Sequence, residues 1–222
     1  MRVVIINMNT YRTILYISVI IIGFLINFIS ILIYNKKYHV LKFENIIISY
    51  MLFIIVFFIC AKAGYIIINK NIIVNSKLFP NFFNFFIFGY AFIGGYLGIL
   101  IYPFICSKIF KCNKLDIMKI YIPNSLLLYS ILKIGCYING CCGGNIPIQL
   151  IESFSSFIGY IFVCFLVKNN KCSVKISIII FCTVRLVLSL FRIYDEVYQL
   201  IIIEIMSIII IYYGFIIKTV KK

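Results

Sequence analysis

Five ionisable residues interrupt long apolar stretches of this 222-residue chain: Lys62, Lys133, Glu152, Arg185 and Glu204. Arg192, Asp195 and Glu196 cluster at the end of one such stretch. A charged side chain in hydrocarbon costs roughly 2.5–3.5 kcal/mol even on insertion scales, so each needs a partner or a task. The plain alternative is Lys–Glu pairing that only holds helices together. Lys62 reads that way, because a lysine stem can run along an apolar face toward the interface. Lys133, Glu152 and Arg185 read differently. They stand near the ends of their stretches that the topology derived below puts on one side, where two cations and a carboxylate could line a single cavity.

A second constellation surrounds Lys133. Between Lys133 and Asn145 lie Gly135, Gly140, Gly143 and Gly144, with Cys136, Cys141 and Cys142 among them. Glycines so dense break a helix and open backbone conformations closed to other residues. At membrane depth such backbone is tolerated only inside protein or along a wet cavity. Three thiols with no nearby His fall short of the four ligands of a thiolate zinc site, so no metal is expected. A disulfide on an oxidising face and simple packing thiols both remain open. Gly94, Gly95 and Gly98 form a third cluster, in which Gly94 and Gly98 make a small-xxx-small step for close helix packing. Bare backbone there could also make room for a lipid head group.

The elements that must position these residues follow from composition. The chain is 64% hydrophobic and 12% charged, whereas a soluble domain carries about 45–50% apolar and about 25% charged residues. A soluble enzyme is excluded, and so is a disordered chain, which would be poor in aromatic and β-branched residues. An all-α, polytopic membrane protein remains, its single membrane domain spanning residues 1–222. A spanning helix needs about 20 mostly apolar residues. Seven segments qualify: Thr13–Tyr34, Asn45–Ile68, Leu78–Ser107, Ile117–Ile138, Ile148–Val167, Val174–Phe191 and Val197–Ile217. The first is too long for a signal-peptide core, and no small-x-small cleavage site follows it. The start of the third, Phe79 to Phe83, is expected in the interface.

The net charge of +15 comes from 21 Lys and Arg against six Asp and Glu. In a soluble protein it would suggest nucleic acid. Counted loop by loop, thirteen positives fall on one side (Lys36, Lys37, Lys42, Lys108, Lys111, Lys114, Lys119, Lys168, Lys171, Lys175, Lys218, Lys221 and Lys222). Five fall on the other: Arg2, Arg12, Lys70, Lys77 and Arg192. The bias puts the N-terminus outside and the C-terminus in the cytoplasm. The uncharged loop from Asn139 to Pro147 then lies outside. No nucleic-acid partner is expected.

These residues resemble the prolipoprotein diacylglyceryl transferases, whose signature has the shape Arg-x-Gly-Asn-Phe-x-Asn-Gly-Glu-x-x-Gly. A Cys-bearing variant occurs among its relatives, and Lys133 to Gly144 looks like that variant. Pro147-Ile148-Gln149-Leu150-Ile151-Glu152 resembles the family's Pro-x-Gln-Leu-Tyr-Glu segment. Asp116 and Pro123 fall where its fourth helix begins, and the Gly94-Gly95 pair fits its third. Arg185, Arg192 and Asp195 match Arg-x6-Arg-x-x-Asp, and Glu204 to Ser207 stands where relatives have Gln-x-x-Ser. The matches run in order over residues 45–215. Departures are equally specific: the family's His before Gly-Gly is Ile93 here, its signature Arg is Lys133, its Asn is Cys136, its Glu is Cys141, and a further Glu is Ser189. The sole His, His39, falls in an expected cytoplasmic loop and cannot substitute.

The resemblance implies a multi-pass enzyme of the bacterial plasma membrane that uses no cofactor. It would move a diacylglyceryl group from phosphatidylglycerol to the Cys thiol of a prolipoprotein signal peptide. Lys133, Glu152 and Arg185 would be its catalytic residues. Gly94, Gly95, Cys136, Asn139, Gly144, Gln149, Arg192 and Glu204 would bind substrate. Lys133, Arg185 and Arg192 would hold phosphate, with Glu152 as base or as the partner that orients a cation. Two rivals stand beside this reading: a non-catalytic lipid-binding or accessory relative, and a thiol-redox membrane protein using Cys136, Cys141 and Cys142. A transporter fits less well, because the internal repeats of many such folds are absent.

Overall fold

The computed structural model describes residues 2–68, 91–140, 147–168 and 173–191, and the positions 201, 204, 205, 207–210 and 212. Among these, all regular structure is α-helical. Six helices are described: α1 Arg2–Tyr38, α2 Phe43–Ile68, α3 Phe92–Ile109, α4 Lys114–Ile138, α5 Ile148–Lys168 and α6 Ser173–Ser189. Helix is what lipid demands, because a spanning segment must satisfy every backbone N–H and C=O internally. Five helices, α1 to α5, are long and apolar enough to cross a membrane. α6, at 17 residues, is slightly short of the about 20 that a full span takes.

α1 starts at Arg2, eleven residues before the expected Thr13, and its apolar span begins at Tyr11. α3 is described only from Phe92, so the expected start of the third span, Leu78 to Tyr90, lies outside the described residues. So do most of the seventh span and the segment 141–146 with Cys141, Cys142 and Gly144.

Local signals set the helix ends. Asn113 caps α4, its Oδ1 accepting the Leu115 N–H at 3.0 Å, as short polar side chains do at N-caps. Pro147 precedes α5, where a missing N–H costs nothing, and its carbonyl accepts Leu150 N–H at 3.0 Å. Two residues past the end of α4, Gly140 has a φ of 67°, which turns the chain away in the left-handed region that glycine adopts freely.

The chain divides into two compact units. The first draws on Met1–Tyr38, Lys119–Ile193 and Ile211–Lys222, the second on His39–Met118 and Tyr194–Ile210. In the second unit, α2 and α3 pack backbone against backbone. A Cβ on Gly64 would lie 2.7 Å from Gly94 Cα, one on Gly98 would lie 2.9 Å from Cys60 Cβ, and one on Gly94 would overlap the Cys60 carbonyl oxygen. Where apolar burial cannot drive association in lipid, such close approach supplies van der Waals contact instead.

In the first unit, α1 and α5 run parallel in a fixed register. Ser30 meets Tyr160, Tyr34 meets Cys164, and the Lys37 ammonium reaches the Val167 carbonyl. The Tyr160 and Ser30 hydroxyls lie 2.6 Å apart, and Ser30 donates onward to Asn124 Oδ1 at 2.5 Å on α4. Asn27 Nδ2 donates to the Asn124 carbonyl at 2.8 Å, and Asn124 Nδ2 to the Ile120 carbonyl at 2.6 Å. Pro123 lies inside α4, flanked by side-chain donors on the carbonyls of Ile120, Ile122 and Asn124.

Candidate functional site

Three helices of the first unit converge on one carboxylate. Lys133 stands near the C-terminal end of α4, Glu152 near the N-terminal end of α5, and Arg185 near the C-terminal end of α6. Alternating chain direction places all three at the same end of this unit. Glu152 Oε2 is 2.8 Å from Lys133 Nζ, and Oε1 is 2.9 Å from Arg185 Nη1. The Glu152 side chain is 0% exposed and the two cations 7% each. Each carboxylate oxygen thus meets one cation.

A tyrosine completes it. Lys133 Nζ lies 5.2 Å from the centre of the Tyr129 ring, within the reach of a cation–π contact. Arg185 Nη1 approaches the Tyr129 hydroxyl at 3.4 Å, a longer contact than the one to Glu152. Tyr129 is itself fully buried and held edge-on against Phe181, with ring centres 5.1 Å apart. The sequence reading passed over Tyr129, although its place one helical turn before Lys133 is the spacing at which side chains on a helix meet.

The site is polar beyond the charges. Gln149, Ser153 and Ser156 are buried along with Glu152 on α5. Ser156 Oγ has no hydrogen-bond partner among the described residues. Burying a hydroxyl that way costs about 1–3 kcal/mol, which a water or a ligand hydroxyl would recover. Ser189, on α6 one turn beyond Arg185, donates to the Leu186 carbonyl at 2.8 Å. Among the described residues no group of three or more His, Cys, Asp or Glu is arranged to hold a metal ion.

The chain matches the family model for prolipoprotein diacylglyceryl transferase over residues 3–220, nearly its whole length. It belongs to the prolipoprotein diacylglyceryl transferase family. No individual curated protein gives a significant match. Membership makes the chain a relative of membrane-bound transferases of lipoprotein biosynthesis, and the apolar helices agree with that setting.

The transferase-like positions fall in different places. Cys136 is a partly exposed thiol just beyond Lys133 on α4, and Asn139 follows directly after that helix. Gln149 is 6% exposed in the first turn of α5. Gly94 and Gly95 lie in the second unit, at the α2–α3 contact: Gly94 against the Cys60 carbonyl, and Gly95 where a Cβ would lie 2.5 Å from the Phe57 ring. Ile93, at the family's His position, is 2% exposed beside them. Glu204 is helical and partly exposed, also in the second unit. Lys62, expected to extend toward the interface, is enclosed at 6% exposure. Gly144 and Arg192 lie outside the described residues.

Proposed function

We propose that this chain transfers a diacylglyceryl group from phosphatidylglycerol to the Cys thiol of a prolipoprotein signal peptide. The observation that carries the proposal is the buried Lys133–Glu152–Arg185 cluster, two cations side by side on one carboxylate. Lysine and arginine are the side chains that bind phosphate through charge-assisted hydrogen bonds, and the phosphodiester of phosphatidylglycerol is such a group. With thirteen loop positives on the other face, the positive-inside rule puts the cluster toward the outer leaflet of a bacterial plasma membrane.

In the reaction, the substrate thiol's sulfur forms a bond to the terminal glycerol carbon of the diacylglyceryl group. The bond from that carbon to the phosphate oxygen breaks, and glycerol phosphate leaves with the electron pair. Lys133 and Arg185 grip the phosphate and stabilise the charge that gathers on the leaving oxygen. Both Glu152 oxygens are engaged by these cations, which supports an orienting role over that of a base. The thiol must lose its proton to become the nucleophile, neighbouring cations favour the thiolate, and the departing glycerol phosphate takes the proton up. Such a site needs no His at Ile93. Cys136, Asn139 and Gln149 stand nearest the cluster in sequence as candidate head-group contacts, with Gly144, Arg192, Glu204, Gly94 and Gly95 as further candidates.

The test is complementation of a bacterial strain lacking its own transferase, paired with transfer of labelled diacylglycerol to a lipobox peptide. Restored lipidation that is lost in Lys133→Ala and Arg185→Ala supports the reading. Failure of the intact chain to restore it, despite normal insertion, would identify a non-catalytic relative.

A further inference from the structure

We propose that Ser156 is a lipid-binding residue whose hydroxyl donates to an ester carbonyl of the diacylglyceryl group. The inference deepens the proposed function: it rests on reading Lys133 and Arg185 as phosphate ligands and adds the contact that holds the group being transferred.

A serine in a helix ordinarily turns its hydroxyl back onto a carbonyl one turn earlier. Ser18, Ser107, Ser125 and Ser189 do so here, on Ile14, Phe104, Ile122 and Leu186. Ser156 does not. Its side chain is fully enclosed, and its Oγ has no hydrogen-bond partner among the described residues. A buried hydroxyl left idle is unfavourable. One that forgoes the carbonyl its own helix offers points to an acceptor brought from outside the chain.

Helix geometry places that hydroxyl. Ser156 follows Glu152 by four residues, so both lie on one face of α5, the face that meets Lys133 and Arg185. The same step inward from Lys133 on α4 reaches Tyr129, and from Arg185 on α6 it reaches Phe181. Those two rings pack edge-on with centres 5.1 Å apart. Ser156 therefore belongs to the layer directly beneath the charged cluster, about 6 Å deeper at a rise of about 1.5 Å per residue. Phe157 and Ile158, which follow it, are exposed, so the hydroxyl is a short step from the apolar outer surface of α5.

That depth selects the chemistry of the occupant. A phosphate at Lys133 and Arg185 leaves the head-group glycerol on the water side and the diacylglyceryl group pointing inward. A few bonds beyond the phosphorus, the polar atoms of that group are ester oxygens, which accept hydrogen bonds and donate none. A hydroxyl donor is their complement, and in a low-dielectric layer each gains more from the other than it would in water. Held by its phosphate and by an ester, the lipid keeps the carbon that the thiol attacks in one orientation.

The experiment uses the full chain in detergent and two short-chain lipids. One is phosphatidylglycerol with ester-linked chains, the other its ether-linked counterpart, which keeps the phosphate and lacks the carbonyls. Wild type should bind the ester form about fivefold more tightly, the gain one neutral hydrogen bond supplies. Ser156→Ala should bind both lipids at the level of the ether form. Ser156→Cys, close in size and a weak donor, should do the same and runs in parallel should the alanine variant fold poorly. Equal binding of the two lipids by wild type, or an ester preference that survives in both variants, overturns the inference.

The thermal midpoint without lipid is an independent check. An idle hydroxyl adds nothing to the lipid-free fold, so Ser156→Ala should melt at or above the wild-type temperature. A clearly lower midpoint would mean that the hydroxyl serves the fold, against the inference. Transfer to a lipobox peptide separates this contact from the reading it rests on. A chain that prefers the ester form through Ser156 yet transfers nothing keeps the contact and refutes the transferase reading. One that transfers without that preference refutes the contact alone.

Discussion

Glu152 and Arg185 are 33 residues apart in sequence and 2.9 Å apart across the α5–α6 contact. The same carboxylate reaches Lys133 with its other oxygen, so one acidic side chain joins three helices of the first unit. Desolvation makes such a cluster costly to build and more costly to break, because removing one member strands the others without compensation.

Glu152→Gln should therefore be the most damaging conservative change at the site. Two buried cations would face an amide that cannot neutralise them, at an expected loss of about 3–5 kcal/mol. Unfolding of the full chain in detergent measures this. A midpoint within the error of wild type would show that the cluster is dispensable for folding.

Lys133→Arg and Lys133→Met separate charge from shape. Arginine restores the fork typical of the family signature and keeps the charge, so diacylglyceryl transfer should remain within about tenfold of wild type. Methionine keeps the stem and loses the charge, and transfer should fall by about a hundredfold or more, as when a transition-state donor is removed. Initial rates with labelled lipid decide, and comparable rates for the two variants would argue against a phosphate role.

Gly94→Ala and Gly140→Ala should both destabilise, for different reasons. At Gly94 the added carbon meets the Cys60 carbonyl and Gly64 Cα, backbone that cannot yield, and overpacking of this kind costs about 1–3 kcal/mol. At Gly140 nothing lies within 4 Å of a built Cβ, so the cost is conformational, about 1–2 kcal/mol for a left-handed φ. Gly140→Asn should recover part of that loss, since asparagine tolerates the region, whereas Gly94→Asn should be worse than Gly94→Ala. Thermal midpoints of the four variants test the distinction.

Cys112, between α3 and α4, should resist alkylation at neutral pH. Burial pushes its thiol pKa up, with neighbouring Cys106 and Asp116 acting in the same direction. The folded chain then holds this proton to higher pH than the unfolded chain does. The associated stability is present below the ordinary thiol pKa of about 8.5 and declines as pH rises through the higher folded value. Iodoacetamide labelling followed from pH 7 to 10 should show Cys112 lagging behind an exposed thiol, and matching rates would refute the shift.

Much of the site was readable one helix at a time. Lys133, Glu152 and Arg185 stood out because each interrupts an apolar run, and the alternation of spans placed them at one end. That all three share one carboxylate was not readable, since no spacing rule relates side chains on separate helices. Tyr129 was missed for a related reason: an aromatic residue in an apolar helix carries no mark until a cation is found over its face. The Gly94–Gly98 step was recognised as packing-competent, and the contact with Cys60 and Gly64 identified the surface it fits.

The sequence by itself determined that this chain is helical and bound for a membrane. Those properties follow from composition and run length, because hydrocarbon permits few ways to satisfy a backbone. It also determined the family, through motifs distributed along nearly the whole chain. Tertiary structure alone decided the partnerships: Glu152 with two cations, Tyr129 beneath Lys133, Ser30 between Tyr160 and Asn124. Such contacts depend on the rotation and register of packed helices. Ångström-scale packing sets those quantities, and the apolar pattern of any one helix leaves them open.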